Sequence, residues 1–223
     1  MSLTPNNGAD RIIWIDCEMT GLDYVNDALI EIAAVITDGE LNVLDPGIDV
    51  VIKPPAAALA AMGDFVRNMH TTSGLITELD QGVSLEEAEV LVVDYIKEFV
   101  PVPANAPLAG NSVATDKMFL ERDMKTLVAN MHYRIIDVSS LKELARRWYP
   151  RVYFAAPNKN GGHRALADIL ESIDELRYYR AAMLVAAPGP TTPEARASAV
   201  KVVDSSVSGT IEVPGAFRTP PTG

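Results

Sequence analysis

The chain has 223 residues, 48% of them hydrophobic, which suits one ordinary domain with a full core. No apolar run approaches the roughly 18–20 residues that cross a membrane, and the N-terminus has neither the basic start nor the apolar stretch of a secretory signal. A net charge of -11 argues against a basic groove for long nucleic acid, and a single cysteine excludes an internal disulfide or thiolate zinc cage, which fits a reducing cytosol.

Residues 1–9 read as a disordered leader whose MSL start resembles an added remnant, and they are left out of fold reasoning. The stretch RIIWIDCEMTGLD, residues 11–23, opens as a strand buried on both faces. LIEIAAVITD (29–38) and NVLDPGIDVVIK (42–53) are rich in β-branched residues, and the Asp38-Gly39 pair between them signals a hairpin. A helix running into a loop is expected over 57–75. Ser84 and Glu87 form a capping box before the amphipathic LEEAEVLVVDYIKEFV.

PLAGNS is a short buried strand, and a helix beginning at Thr115 follows it through TDKMFLERDMKTLVANM. YRIIDVSS is another short strand, with Ser139 or Ser140 placed to cap the helix LKELARRWY. YFAAPNKNGG reads as a flexible loop, and the last long helix starts near His163. From about Ala187 the chain becomes rich in Pro, Ser, Thr and Gly, so 187–223 is expected to be mostly disordered, with AVKVV and TIEV as short adhesive segments. Three strands followed by alternating helix and strand predict an α/β domain over 10–186, built on a mixed sheet with flanking helices.

The opening strand carries an anomaly. On a strand, residues i and i+2 share a face, so Asp16 and Glu18 project side by side while Cys17 points the other way. Adjacent carboxylates repel and raise each other's pKa unless a cation or a shared proton relieves them. A divalent cation is the economical relief, and hard oxygen donors favour Mg²⁺ or Mn²⁺ over zinc. Asp116 falls in the first turn of a helix that follows a strand, where an acid also serves the helix dipole. Asp168 sits among Leu166, Ile169 and Leu170, where a carboxylate needs a partner unless it lies at the edge of the polar face. His163 and Asp168 lie about 140° apart around a regular helix, so His163 is expected at the helix mouth.

Taken in order, WIDCEMTGLD, GNSVATDKMFL and HRALADI resemble the three motifs of the DEDD exonucleases in their His-containing DEDDh branch. With HYRIIDVSSLKELARRWYP and HRALADILESIDELRYYR, the chain resembles the oligoribonuclease family of that branch over residues 10–181. The resemblance implies an RNase H-like fold with a sheet of about five strands. It also implies a 3′→5′ exoribonuclease that degrades very short single-stranded RNA, dinucleotides included, with two divalent ions per site. Asp16, Glu18 and Asp168 would hold the first ion, Asp16 and Asp116 the second, and His163 would be the general base.

The resemblance further implies that Leu22 wedges against the bases and that Phe65 stacks on one, in the place where the family often has a Trp five residues before its motif His, here His70. Ser112, Tyr133, Arg134 and Ser139 resemble residues that close over the terminal 5′ phosphate, some of them from the partner subunit of a homodimer. The basic run KELARRWYPR reads as a solvated face or a dimer contact. Two other readings share the scaffold. A DEDDh exonuclease of longer DNA or tRNA ends would need the basic surface that the composition argues against, and a non-catalytic nucleotide-binding protein would have lost one of the four acids or His163.

Overall fold

In the computed structural model, which describes residues 8–158 and 162–208, one compact unit runs through Met183 and a second begins at Leu184. The first is a five-stranded mixed sheet. Strands β1 (Arg11–Met19), β2 (Leu29–Asp38) and β3 (Ile48–Val51) pair antiparallel, and β4 (Pro107–Gly110) and β5 (His132–Asp137) add parallel to β1. The order is β3-β2-β1-β4-β5, so β1 is central and β5 lies at an edge. This is the architecture the element order predicted.

The period of two along β1 distributes its side chains between two helical layers. Ile13, Ile15 and Cys17 pack beneath α3 (Leu85–Phe99), α4 (Ala114–Asp123) and α5 (Lys125–Asn130). Ile12 and Trp14 pack on the other face, against α6 (Val138–Trp148) and α8 (Ala165–Met183). Trp14 buries its indole and still satisfies it, donating Nε1–H to Thr37 Oγ1 at 3.0 Å. Asp16 and Glu18 continue the Trp14 face beyond the apolar layer, at the strand end where α8 begins.

Several boundaries differ from the sequence reading. The third strand is only four residues long because Pro46-Gly47 interrupts it; Gly47 has φ 91°, and a Cβ there would meet the Ala34 carbonyl at 2.7 Å. The left-handed residue of the β2 turn is Leu41, φ 70°, and Asp38 organises that turn by accepting from the Glu40 and Asn42 amides. The segment 57–75 is two helices, α1 (Ala56–Ala61) and α2 (Asp64–Thr72), broken at Met62-Gly63. The helix after β4 likewise breaks at Met124 into α4 and α5. Neither serine caps α6: Asp137 does, accepting from the Ser139 amide at 2.9 Å. The expected loop after Trp148 begins with a short helix, α7 (Pro150–Phe154), and Lys159, Asn160 and Gly161 of that loop lie outside the described residues.

In the second unit, helix α9 (Thr192–Ser208) includes AVKVV, within the tail expected from the sequence to be mostly disordered. Its Ala-rich, Gly-free start carries enough helix propensity to outweigh the Ser and Thr around it. The TIEV segment and most of the leader, residues 1–7, lie outside the described residues. Among the described residues no helix is long and apolar enough to cross a membrane.

Candidate active site

The expected acids meet at the carboxyl end of β1 and β4. A groove of about 400 Å³ is lined by Asp16, Glu18, Asp116 and Asp168 on its floor and by Leu22, Phe65, Met69 and Ser112 above. Donor atoms of Glu18, His163 and Asp168 lie within 4.8 Å of one another, the geometry of a metal-ion site. His163 precedes α8 rather than lying in it, with φ 48°, so the 140° separation on a helix does not arise.

The electrostatics of the floor are those of buried, crowded carboxylates. Asp16 is pushed up to about 9, first by burial and then by Asp116, Glu18 and Asp168. Burial followed by Asp168 and Glu31 pushes Glu18 up to about 8, and Arg164 only partly opposes this. Asp116 rises to about 6, chiefly through burial, although its Oδ1 accepts the Cys17 amide at 3.0 Å. Hard oxygen donors that burial and mutual repulsion hold near protonation fit a divalent cation, so the residues present suit the ions that the fold family implies.

Local structure aims these groups. The ladder between β1 and β2 slips by one residue between Glu18 and Met19, a bulge that re-aims the end of the strand. The Met19 carbonyl accepts from His70 Nε2 at 2.9 Å, and His70 Nδ1 lies 4.0 Å from Glu18 Oε2. His70 is fully buried, and its bond to the Met19 carbonyl supports the strand that presents Glu18. Burial first, with His163 adding to it, lowers the His70 pKa.

The loop after β1 is tied by Asp27, which accepts from Thr20 Oγ1 at 2.7 Å and from the Asp23 amide at 2.8 Å. A Cβ on Gly21 would fall 2.4 Å from Asp27 Oδ2, so a larger residue there would displace the carboxylate that ties the loop. This loop holds Leu22 outward, and α2 holds Phe65 across from it; they are 75% and 83% exposed, unusual for apolar side chains at a groove.

The expected phosphate-end residues separate into two groups. Asp137 Oδ1 accepts from the Ser112 amide, the Ser139 amide and Ser139 Oγ, so Ser112 and Ser139 are gathered by one carboxylate. Tyr133 and Arg134 instead lie on the exposed edge strand β5, with the guanidinium carbon 5.4 Å from the Tyr133 ring centroid, and they do not line the groove. In the basic run of α6, Glu143 pairs with both Arg146 and Arg147 on an exposed helix face.

Sequence reasoning missed two supports of the site. Asn111 donates Nδ2–H to Ser172 Oγ and to Glu175 Oε2, each at 2.9 Å, anchoring the groove wall to α8. Glu31, fully buried, stands opposite Glu18 across β1 and β2 and binds Arg164 Nε at 2.7 Å and the Ala165 amide at 2.9 Å. An ionisable residue inside the otherwise apolar LIEIAAVITD was the available signal.

Comparison with known proteins agrees with this geometry. The Exonuclease family model matches residues 13–176. An oligoribonuclease of Leifsonia xyli is 62% identical over 88% of this chain and 95% of its own length, and one of Streptomyces coelicolor is 61% identical over 88% and 98%. An oligoribonuclease of Mycolicibacterium paratuberculosis, 56% identical, matches over 96% of this chain and 99% of its own. Among solved structures, Escherichia coli exonuclease I in complex with single-stranded DNA, in its zinc-bound form, superposes with TM-score 0.62 at 14% identity, over 78% of this chain and 41% of that one. That last likeness shows the shared RNase H-like fold. By the matched family model and these relatives, the chain belongs to the oligoribonuclease family of exonucleases.

Proposed function

We infer that this protein is a 3′→5′ exoribonuclease that hydrolyses very short RNAs to nucleoside 5′-monophosphates. The observation that carries the reading is the convergence of four acids and His163 on one small groove, in a chain whose net charge of -11 argues against gripping longer strands. Two Mg²⁺ or Mn²⁺ ions would offset the carboxylate repulsion, lower the pKa of a water and compensate charge on the departing 3′ oxygen. Asp16, Glu18 and Asp168 would hold one ion, and Asp16 with Asp116, through water, the other.

The remaining chemistry belongs to the side chains. His163 takes a proton from the attacking water at its imidazole, a group whose ordinary pKa lies near neutrality. The water oxygen bonds to the last phosphorus as the P–O3′ bond breaks. Leu22 and Phe65 take the bases of the scissile pair, Phe65 by stacking. Ser112 and Ser139, joined by Tyr133 and Arg134 from a second subunit, close the far end over the 5′ phosphate. The exposure of Tyr133 and Ile135 on edge strand β5 supports a homodimer that brings them there. The single free cysteine supports a cytosolic setting.

A length series tests this reading. Purified protein is incubated with Mg²⁺ or Mn²⁺ and 5′-labelled RNAs of two to about twenty nucleotides, alongside an EDTA control. Rates should be highest on the shortest RNAs and absent with EDTA. Equal or faster cleavage of long strands would overturn the capped groove and favour a general exonuclease.

A further inference from the structure

Arg164 lies between the two groups the reaction needs most, His163 just before it and Asp168 four residues later. Its guanidinium reaches three separate segments. Nε meets Glu31 Oε1 on β2 at 2.7 Å, and Nη1 and Nη2 meet Glu78 Oε1 and Oε2 at 2.9 and 3.1 Å. Asp49 Oδ2 on β3 lies 3.9 Å from Nη2. Arg164 also holds its own neighbours: its carbonyl accepts the Asp168 amide at 3.0 Å, and Glu31 Oε2 accepts the Ala165 amide. The start of α8 is therefore pinned to the sheet by a carboxylate 134 residues away in sequence.

The residue before this anchor is strained. His163 has φ 48°, a left-handed conformation that costs a non-glycine residue about 1–2 kcal/mol and persists only where its surroundings fix it. Arg164, the next residue, carries the bonds that tie this point of the chain to Glu31 and Glu78. Because Glu31 faces Glu18 across the ladder, the clamp refers the His163 and Asp168 segment to the strand that carries Glu18.

We propose that Arg164 is a positioning residue for the exonuclease reaction, setting His163 and Asp168 against Glu18 through its bonds to Glu31 and Glu78. The proposal rests on the exonuclease reading above. A planar bidentate fork is what the geometry uses, so lysine should not replace it.

The test compares wild type with R164A, R164K and E78Q. It uses steady-state kinetics on a dinucleotide with Mg²⁺ and amide hydrogen exchange on the metal-free protein. For R164A the expected result is a fall in kcat of about 10²-fold, with KM changed less than about threefold, as for a small misplacement of reacting groups. The amides of Ala165 and Asp168 should exchange at least about tenfold faster, while those of Trp14 and Val35 in the central strands keep their rates. R164K should resemble R164A. Exchange accelerated equally in β1 and β2, unchanged exchange at Ala165, or full activity in R164K would each overturn the proposal.

E78Q keeps the arginine beside buried Glu31 and so spares folding if R164A does not fold. It should lower kcat several-fold with the same local exchange pattern, and unchanged kcat and exchange would overturn the proposal. A wild type inactive on short RNA would instead remove the exonuclease reading, and the exchange arm would still report whether the clamp holds the segment.

Discussion

Two acidic clusters lie side by side on the central strands, where Glu18 pairs with Glu31. One, formed by Glu31, Glu78 and Asp49, encloses its own cation, Arg164. In the other, formed by Asp16, Glu18, Asp116 and Asp168, three carboxyls are raised, all chiefly by burial and those of Asp16 and Glu18 also by their neighbouring carboxylates. The same physical problem thus has two solutions a few ångströms apart. The cluster around Arg164 serves as architecture, while the other contains the candidate site for a metal ion.

Opposite signs of stability change would sharpen this contrast. Asp16→Asn should reduce turnover by about 10³-fold or more and leave the melting temperature equal or higher, because it removes repulsion. Retained turnover with Mg²⁺ present would break the comparison at its open end. Glu31→Gln should do the reverse to stability, costing about 1–2 kcal/mol by weakening the buried contact to Arg164 while Glu78 and Asp49 remain, read by urea unfolding. A neutral result there would mean that the closed cluster is not held by its ion pair.

His163→Ala separates chemistry from charge balance. It should lower kcat about 10²-fold with little change in KM, and a defect confined to KM would remove its role as base. Metal removal gives a smaller effect with a defined sign. Asp16 and Glu18 have folded values near 9 and 8, above their ordinary ones, so the folded apoprotein binds more protons than the unfolded chain. Their contribution is full below about pH 4 and is lost as pH rises towards 8–9. The rise in melting temperature on adding Mn²⁺ after EDTA should therefore grow by about 2–4 °C between pH 6 and 8. A rise independent of pH would separate the ions from these carboxyls. The smallest effect is expected at Phe65→Trp, a larger stacking face that should lower KM about threefold.

Much of the open cluster was legible because its signals are local. Two acids at i and i+2 interrupt an apolar strand, Asp116 sits at a strand–helix junction, and Asp168 falls among apolar residues in the first turn of α8. The closed cluster was not, because Arg164 meets Glu31 and Glu78 at separations of 133 and 86 residues, and no window of sequence contains such a contact. Phe65 and Leu22 were found through family resemblance rather than period. The burial of His70 and its bond to the Met19 carbonyl could not be read from spacing. The misplaced cap of α6 has a similar cause: Asp137 ends a strand and begins a helix at once, while the serines beside it were the more familiar signal. The breaks at Met62-Gly63 and Met124 were invisible to periodicity, which continues across both.

The position of Cys17 has a practical consequence. The protein's one thiol lies under the catalytic strand, on the face opposite Asp16 and Glu18, and burial raises its pKa well above the ordinary thiol value. Its backbone amide is bonded to Asp116, so the residue cannot swing out without loosening that acid. Alkylation of this thiol should thus proceed only through molecules whose β1 has parted from its neighbours. The rate of modification becomes a clock for the opening of the active-site strand, readable on the unlabelled natural sequence and with no substrate present.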